Sequence, residues 1–211
     1  MTENQLAHAA ALRIRARYRR ATPGQIQAGR AWYPAAYKVA RDAADLAPRG
    51  IGPAAMAKVI AALSPRVRWG ANVREARAMA AAAGRMDGDL FGDLGREGAA
   101  YAAARYALPE NARLAAAILA GRRVRVTGPK RGAFARAILG DLAAVTVDVW
   151  AAKAAGYDPD RLTPRRVRII TDAYTRAARM VGETPRNLQA IVWLEVRGTD
   201  GAAALAEMAG A

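Results

Sequence analysis

Apolar positions along this 211-residue chain recur every three to four residues, and the runs that carry them are cut by Thr-Pro, Ser-Pro and glycine signals. Residues 5–20, QLAHAAALRIRARYRR, read as a helix that ends in a basic cluster. Thr22-Pro23 opens a second helix, with threonine as N-cap and proline at the first helical position. That helix carries Trp32, Tyr33 and Tyr37 toward Leu46, and Pro48-Arg49-Gly50 breaks it. Residues 53–63, PAAMAKVIAAL, form a compact apolar helix buried on most faces. Ser64-Pro65 ends it, and helix resumes from Asn72 to Ala83. The stretch GRMDGDLFGDLGREG, residues 84–98, predicts a long surface loop. Helices follow at about 97–106 and 110–120. Thr163-Pro164 caps a helix that runs to about Val181. Thr184-Pro185 caps RNLQAIVWLEVRG, which Gly198 terminates, and the tail from Thr199 reads as frayed. No internal repeat of fixed period is present. Alanine dominates while β-branched and aromatic residues are sparse, so the fold class is all-α.

Charge changes the picture most. The formal net charge is +15, which attracts polyanions, nucleic acid first among them. GC-rich coding inflates Ala, Arg and Gly together, but it also raises Asp and Glu, and here 18 acidic residues face 33 basic ones. The chain has no cysteine, which excludes disulfides, thiolate zinc sites and cysteine-held iron–sulfur clusters. A single histidine, His8, argues against a histidine base or a His-rich metal site. No apolar run reaches the roughly 18 residues of a membrane span, and the N-terminus lacks the layout of a secretory signal. A cytoplasmic, monomeric protein without a membrane partner is expected.

The candidate chemistry lies in TGPKRGAFARAILGDLAAVTVDVWAAKAAG, Thr127 to Gly156. Thr127-Gly128-Pro129 is a tight turn feeding a helix over 130–139, whose apolar positions are Ala133, Phe134, Ala137 and Ile138. With the helix at 110–120 it makes a helix–turn–helix pair, and backbone N–H groups at a helix start suit a phosphate. Ala144 to Val147 is a short extended apolar segment, and Asp148 stands at the N-cap of VWAAKAAG. Taken singly, Asp148 is a cap worth about 1 kcal/mol and Lys130 a solvated lysine at a helix start. Asp148 follows Lys130 by 18 residues.

Together these features resemble the helix-hairpin-helix DNA glycosylase superfamily, in its endonuclease-III-like, lysine-bearing branch. Gly128-Pro129-Lys130 matches that family's Gly-x-Lys hairpin, and Val147-Asp148 its Val-Asp at the same offset. KVIAALSPRVRWGANVREA, residues 58–76, resembles the family's early helix ending in Leu-Ser. The resemblance covers about residues 55–156. The chain departs from the family where Val126 stands in place of the hairpin's first glycine and Val149-Trp150 in place of Thr-His, and it lacks the C-terminal cysteines. Arg49-Gly50-Ile51-Gly52-Pro53 also looks like a hairpin turn, but Ala76, not an acid, lies eighteen residues after Lys58, so it is a plain helix boundary.

The resemblance implies one glycosylase-like unit over 1–211: a helical lobe over 51–146 that holds the hairpin, a second lobe from 1–50 plus 147–198, a cleft between them, and a tail over 199–211. It implies double-stranded DNA as partner and no cofactor beyond a structural monovalent cation at the hairpin. Lys130 and Asp148 are the implied catalytic pair, the amine attacking the sugar C1′ and the carboxylate stabilising developing positive charge. Phosphate contacts fall to Arg122, Arg123, Arg125, Thr127, Gly128 and Arg131, and the gap left by a flipped base to Arg66, Arg68 or Trp69. For Asn72, capping the following helix is preferred to reading a base. Gln189, Trp193 and Arg197 share a helix face, read as a packed tryptophan with a flanking ion pair. Three activities fit: a DNA glycosylase with or without strand-nicking lyase action, a base-hypermodifying enzyme on the same fold (for example adding an amine-bearing group to a pyrimidine), and a non-catalytic DNA-binding module.

Overall fold

A computed structural model describes every residue except Asp89, Phe91, Gly210 and Ala211. The first two fall in the expected surface loop and the last two in the expected tail, so those expectations lie partly outside the described residues. The described residues form α-helices without strands: α1 Glu3–Tyr18, α2 Pro23–Ala44, α3 Pro53–Leu63, α4 Trp69–Gly84, α5 Gly92–Ala102, α6 Pro109–Leu119, α7 Pro129–Ile138, α8 Val149–Ala155, α9 Pro164–Val181, α10 Pro185–Arg197 and α11 Gly201–Ala209. The chain divides into two compact units. Unit 1 comprises Met1–Pro34 and Gly140–Ala206, and unit 2 comprises Ala35–Leu139 and the residues from Glu207.

Local chemistry sets most helix starts. The Thr22 side chain accepts from Gln25 N at 3.2 Å while Thr22 N donates to Gln25 Oε1 at 3.0 Å, a reciprocal cap. Thr163 and Thr184 accept from the backbone N–H of Arg166 and Asn187, each ahead of a proline that needs no partner for an absent N–H. Gly182 and Gly198 end α9 and α10 in the left-handed region, where a side chain is penalised.

In unit 1, α1 packs along α9, and α10 closes on α8 and α1. Ala10, Ala11, Ala173, Ala177 and Ala178 are fully or almost fully buried there, so small side chains let the helices approach, while Ile14, Ile170, Tyr174, Leu188 and Val192 fill the volume. Gly29 of α2 meets α10 so closely that a Cβ would lie 2.5 Å from Ile191 Cγ1. In unit 2, α3 lies at the centre, with seven residues from Met56 to Leu63 buried, and packs against α6, α7 and α4.

Two expectations are corrected. The surface loop over 84–98 is shorter than its composition suggests, because α5 begins at Gly92 and ends at Ala102 rather than running over 97–106. Arg96 reaches both Asp87 and Asp93 at 3.2 Å, and α5 packs on α4 and α6, so tertiary contact outweighs its glycines. The tail is not frayed over its length either. Asp200 caps α11 by accepting from Ala202 N at 2.8 Å and Ala203 N at 3.2 Å, Ala204 is buried with Ala28 and Leu194, and Gly201 lies against the backbone of Gly24.

Candidate nucleic-acid interface and active site

The hairpin belongs to unit 2. After α6 the chain turns at Gly121, with φ +82°, runs irregularly through Arg122–Thr127, and turns again at Gly128, with φ +95°. A Cβ on Gly128 would touch nothing, so only its backbone angle requires glycine there. Where the connector closes over α7, a Cβ on Gly132 would lie 3.1 Å from the Val126 carbonyl oxygen. Arg131 braces this closure: its Nη1 donates to Asn111 Oδ1 at 2.7 Å and its Nε to the Thr127 carbonyl at 3.3 Å. That guanidinium therefore holds α6, the connector and α7 together.

Lys130 is half-buried in the first turn of α7, and its Nζ lies 3.5 Å from the carbonyl oxygen of Ser64. Ser64 is buried at the C-cap of α3, its Oγ donating to the Ala61 carbonyl at 2.9 Å. The turn that follows holds Arg66 at φ +63°, where a side chain pays for its backbone angle. Unit 2 thus brings the hairpin lysine onto the Leu63-Ser64 turn across 66 residues of sequence. Arg66, Arg68, Arg123 and Arg125 are exposed, and so are Thr127 and Gly128. Arg122 is exposed but paired with Glu97 at 2.6 Å. Trp69 is 8% exposed and packs inside unit 2, so it is placed as core rather than as a wedge. Asn72 does not cap α4, whose N-cap is Arg68. It is buried and donates through Nδ2 to the Ile60 carbonyl at 3.0 Å.

Asp148 belongs to unit 1. It caps α8 with one oxygen, Oδ1, which accepts from Trp150 N at 3.0 Å and Ala151 N at 2.8 Å. Its carboxylate is half-buried at the end of the buried segment Ala144–Val147. That segment is locked from below. The Tyr33 hydroxyl donates to Gln189 Oε1 at 2.7 Å and shares a 3.1 Å hydrogen bond with Thr146 Oγ1. The Arg186 guanidinium lies 5.7 Å from the centroid of the same tyrosine ring. Burial pushes the Tyr33 hydroxyl above its ordinary pKa. Burial and then the Asp148 carboxylate do the same to Tyr174, whose hydroxyl is buried without a hydrogen-bond partner. Desolvation lowers Arg186. On α8 itself, Lys153 Nζ lies 4.8 Å over the half-buried Trp150 ring.

Tyr33, Thr146 and Gln189 form a hydrogen-bonded support that the sequence did not disclose as a set. The one local signal was a threonine inside an otherwise apolar run that leads into an aspartate. On α10, Arg197 stacks over Trp193 at 4.2 Å, Trp193 meets Trp32 with centroids 4.8 Å apart, and Glu195 pairs with Arg17 at 3.5 Å and Arg20 at 3.0 Å. This is a packed tryptophan with flanking ion pairs. Gln189, on the same face of α10, serves Tyr33.

Among the described residues, no group of three or more His, Cys, Asp or Glu side chains is arranged to hold a metal ion. No described helix is long and apolar enough to cross a membrane. Neither a curated protein nor a solved structure matches the chain. The chain belongs to the family of unknown function DUF7178, whose model matches residues 1–200.

Proposed function

We propose that the protein acts on a base of double-stranded DNA that it takes out of the stack, and that it does so as a DNA glycosylase. One observation carries the proposal: the Lys130 amine is half-buried against the Ser64 carbonyl, beside exposed Arg66 and Arg68 and on the same hairpin as exposed Arg123 and Arg125. A cluster of that sign suits a phosphate backbone. A lysine amine, once deprotonated, is a nucleophile able to attack a sugar carbon. Extruding a base costs a few kcal/mol, which such contacts offset. The Lys130 amine attacks the sugar C1′, the C1′–N bond to the base breaks, and the base leaves with the bonding pair and takes up a proton. The resemblance assigns to Asp148, which two backbone N–H groups fix within unit 1, the negative charge that a cationic sugar requires.

Borohydride trapping tests this. A duplex with an abasic site or a damaged base is incubated with the protein and reduced, and a covalent adduct is expected that disappears in Lys130→Ala. Base excision without an adduct restricts the chemistry to a monofunctional glycosylase.

A second reading keeps base flipping and replaces excision with modification of a pyrimidine. It is favoured by Val126 at the hairpin's first glycine position, a change in the motif itself. Nucleoside analysis of DNA from cells with and without the gene separates the two: abasic sites mark excision, and new nucleosides mark modification. If Asp148→Asn leaves every activity intact while charge reversal at Arg122, Arg123 and Arg125 abolishes DNA binding, the protein only binds.

A further inference from the structure

On residues distinct from Asp148 and its supports, unit 1 carries a groove of about 670 Å³. A pocket of that size falls in the range of small-molecule and cofactor sites. Its construction follows from the chain. Gly156, with φ +81°, stops α8, a short 3₁₀ turn over Pro159–Arg161 reverses the direction, and Thr163-Pro164 starts α9. Leu6, Tyr157, Leu162 and Ile169 give the groove an apolar floor, and all four are half-buried or buried. Arg161, Arg165 and Arg166 stand along its edge.

The three guanidiniums are held differently. Arg165 Nε pairs with Glu3 Oε1 at 2.7 Å and Arg161 Nε with Asp158 Oδ2 at 3.5 Å, both pairs well exposed. Arg166 instead donates through Nη1 to the Arg161 carbonyl at 2.6 Å, so its direction is set without a carboxylate neutralising it. Exposed ion pairs of the first kind are weak, and a phosphate competes with them. The helix amides contribute little here: the N–H groups of Arg166 and Val167 already bond to Thr163 Oγ1 and Thr163 O. Asp160 also lines the groove and is an acceptor of the type that pairs with a base amino group.

We propose that this groove binds a nucleotide, with the base on the apolar floor against Tyr157 and the phosphate on Arg166, aided by Arg161 and Arg165. A flat apolar body with an anionic end matches what the lining offers, and aromatic stacking beside arginine is how unpaired nucleotides are held. The ligand is either a residue of a DNA strand or a free nucleotide. The assignment rests on the DNA-binding part of the proposed function and not on its chemistry.

Two variants test it, Arg166→Gln and Tyr157→Leu, the second keeping apolar bulk because Tyr157 also packs on the unit 1 core. The affinity of a labelled 12-nucleotide single strand is measured across salt concentrations, and backbone amide shifts are followed as deoxycytidine monophosphate is added. Tyr157→Leu is expected to weaken strand binding about tenfold. Arg166→Gln is expected to reduce the slope of log affinity against log salt by about 0.7. Deoxycytidine monophosphate is expected to move the amides of Leu162, Arg166 and Ile169 in the parent protein and not in Arg166→Gln. Movement of those amides with strand affinity unchanged in both variants assigns the groove to a free nucleotide. The proposal is overturned if neither variant changes affinity or slope and the nucleotide moves none of these amides, and also if an acidic peptide or an anionic lipid vesicle moves them where the nucleotide does not. Charge reversal at Arg122, Arg123 and Arg125 should weaken duplex binding while leaving the nucleotide shifts in place. Absence of both a borohydride adduct and base excision, with the groove results intact, removes only the excision chemistry.

Discussion

Tyr33→Phe isolates the support under Asp148. The ring stays, so apolar burial and the approach of Arg186 are unchanged, and only one oxygen is lost. That oxygen serves two buried groups, Gln189 Oε1 at 2.7 Å and Thr146 Oγ1 at 3.1 Å. Leaving a buried polar group unsatisfied costs about 1–3 kcal/mol. Thr146 can turn its hydroxyl toward another acceptor, whereas the carbonyl oxygen of Gln189 cannot become a donor. The expected loss is therefore about 2–3 kcal/mol rather than the sum of two full penalties. Urea denaturation followed by circular dichroism measures it, and the slope with urea should be unchanged because the exposed surface is the same. Thr146→Val in the Tyr33→Phe background should cost less than in the parent, since an apolar pair replaces a polar one. The expected coupling is about 1 kcal/mol. A loss under about 0.5 kcal/mol for Tyr33→Phe, or additivity of the two changes, would refute the network. Thr146 precedes Asp148 by two residues, so Tyr33→Phe should also slow adduct formation several-fold while leaving DNA affinity as it was.

Glu75 Oε1 accepts from the backbone N–H of Arg105, Tyr106 and Ala107 at 2.7, 2.8 and 3.1 Å, pinning the entry to α6, while its Oε2 is buried without a partner. Glu75→Gln weakens three charge-assisted bonds and buries an amide without an acceptor, for an expected loss of about 2–3 kcal/mol and faster hydrogen exchange at residues 105–107. Gly29→Ala forces a methyl group onto Ile191, whose backbone N and Cα lie 2.7 Å from the new atom, so shortening the Ile191 side chain does not rescue it. A loss of about 3 kcal/mol or a failure to fold is expected, read by thermal denaturation. Above about pH 10 the protein should lose stability steeply: Tyr33 and Tyr174 have raised pKa values in the fold, so the unfolded chain ionises first and binds fewer protons than the native state. Tyr33→Phe and Tyr174→Phe should each shallow that decline in an alkaline denaturation series, and identical curves would count against both assignments.

The helix boundaries that the sequence determined by itself are those written in local chemistry. Thr22-Pro23, Thr163-Pro164 and Thr184-Pro185 start helices because a threonine oxygen reaches an N–H three residues on, and Gly198 stops one because its backbone takes the left-handed region. Asp148 as a cap belongs to the same class, as does the all-helical character that alanine imposes. Charge needs no fold at all, and the net charge of +15 was legible in composition.

What the tertiary structure decided is everything that joins distant residues. The Lys130 amine and the Ser64 carbonyl are 66 residues apart in sequence, and Tyr33 finds Thr146 across 113 residues and Gln189 across 156. Nothing in the neighbourhood of Tyr33 specifies those partners, because helix packing, not periodicity, selects which face meets which. Helix α5 shows the same limit, since a glycine- and aspartate-rich stretch reads as loop until Arg96 and the surfaces of α4 and α6 hold it helical. So does α11, where the close approach of Gly201 to Gly24 depends on two segments that only the fold brings together. Local hydrogen bonds act within one turn of chain and can be read from sequence order. Burial and approach are properties of three dimensions, and they decided where each candidate side chain spends its charge.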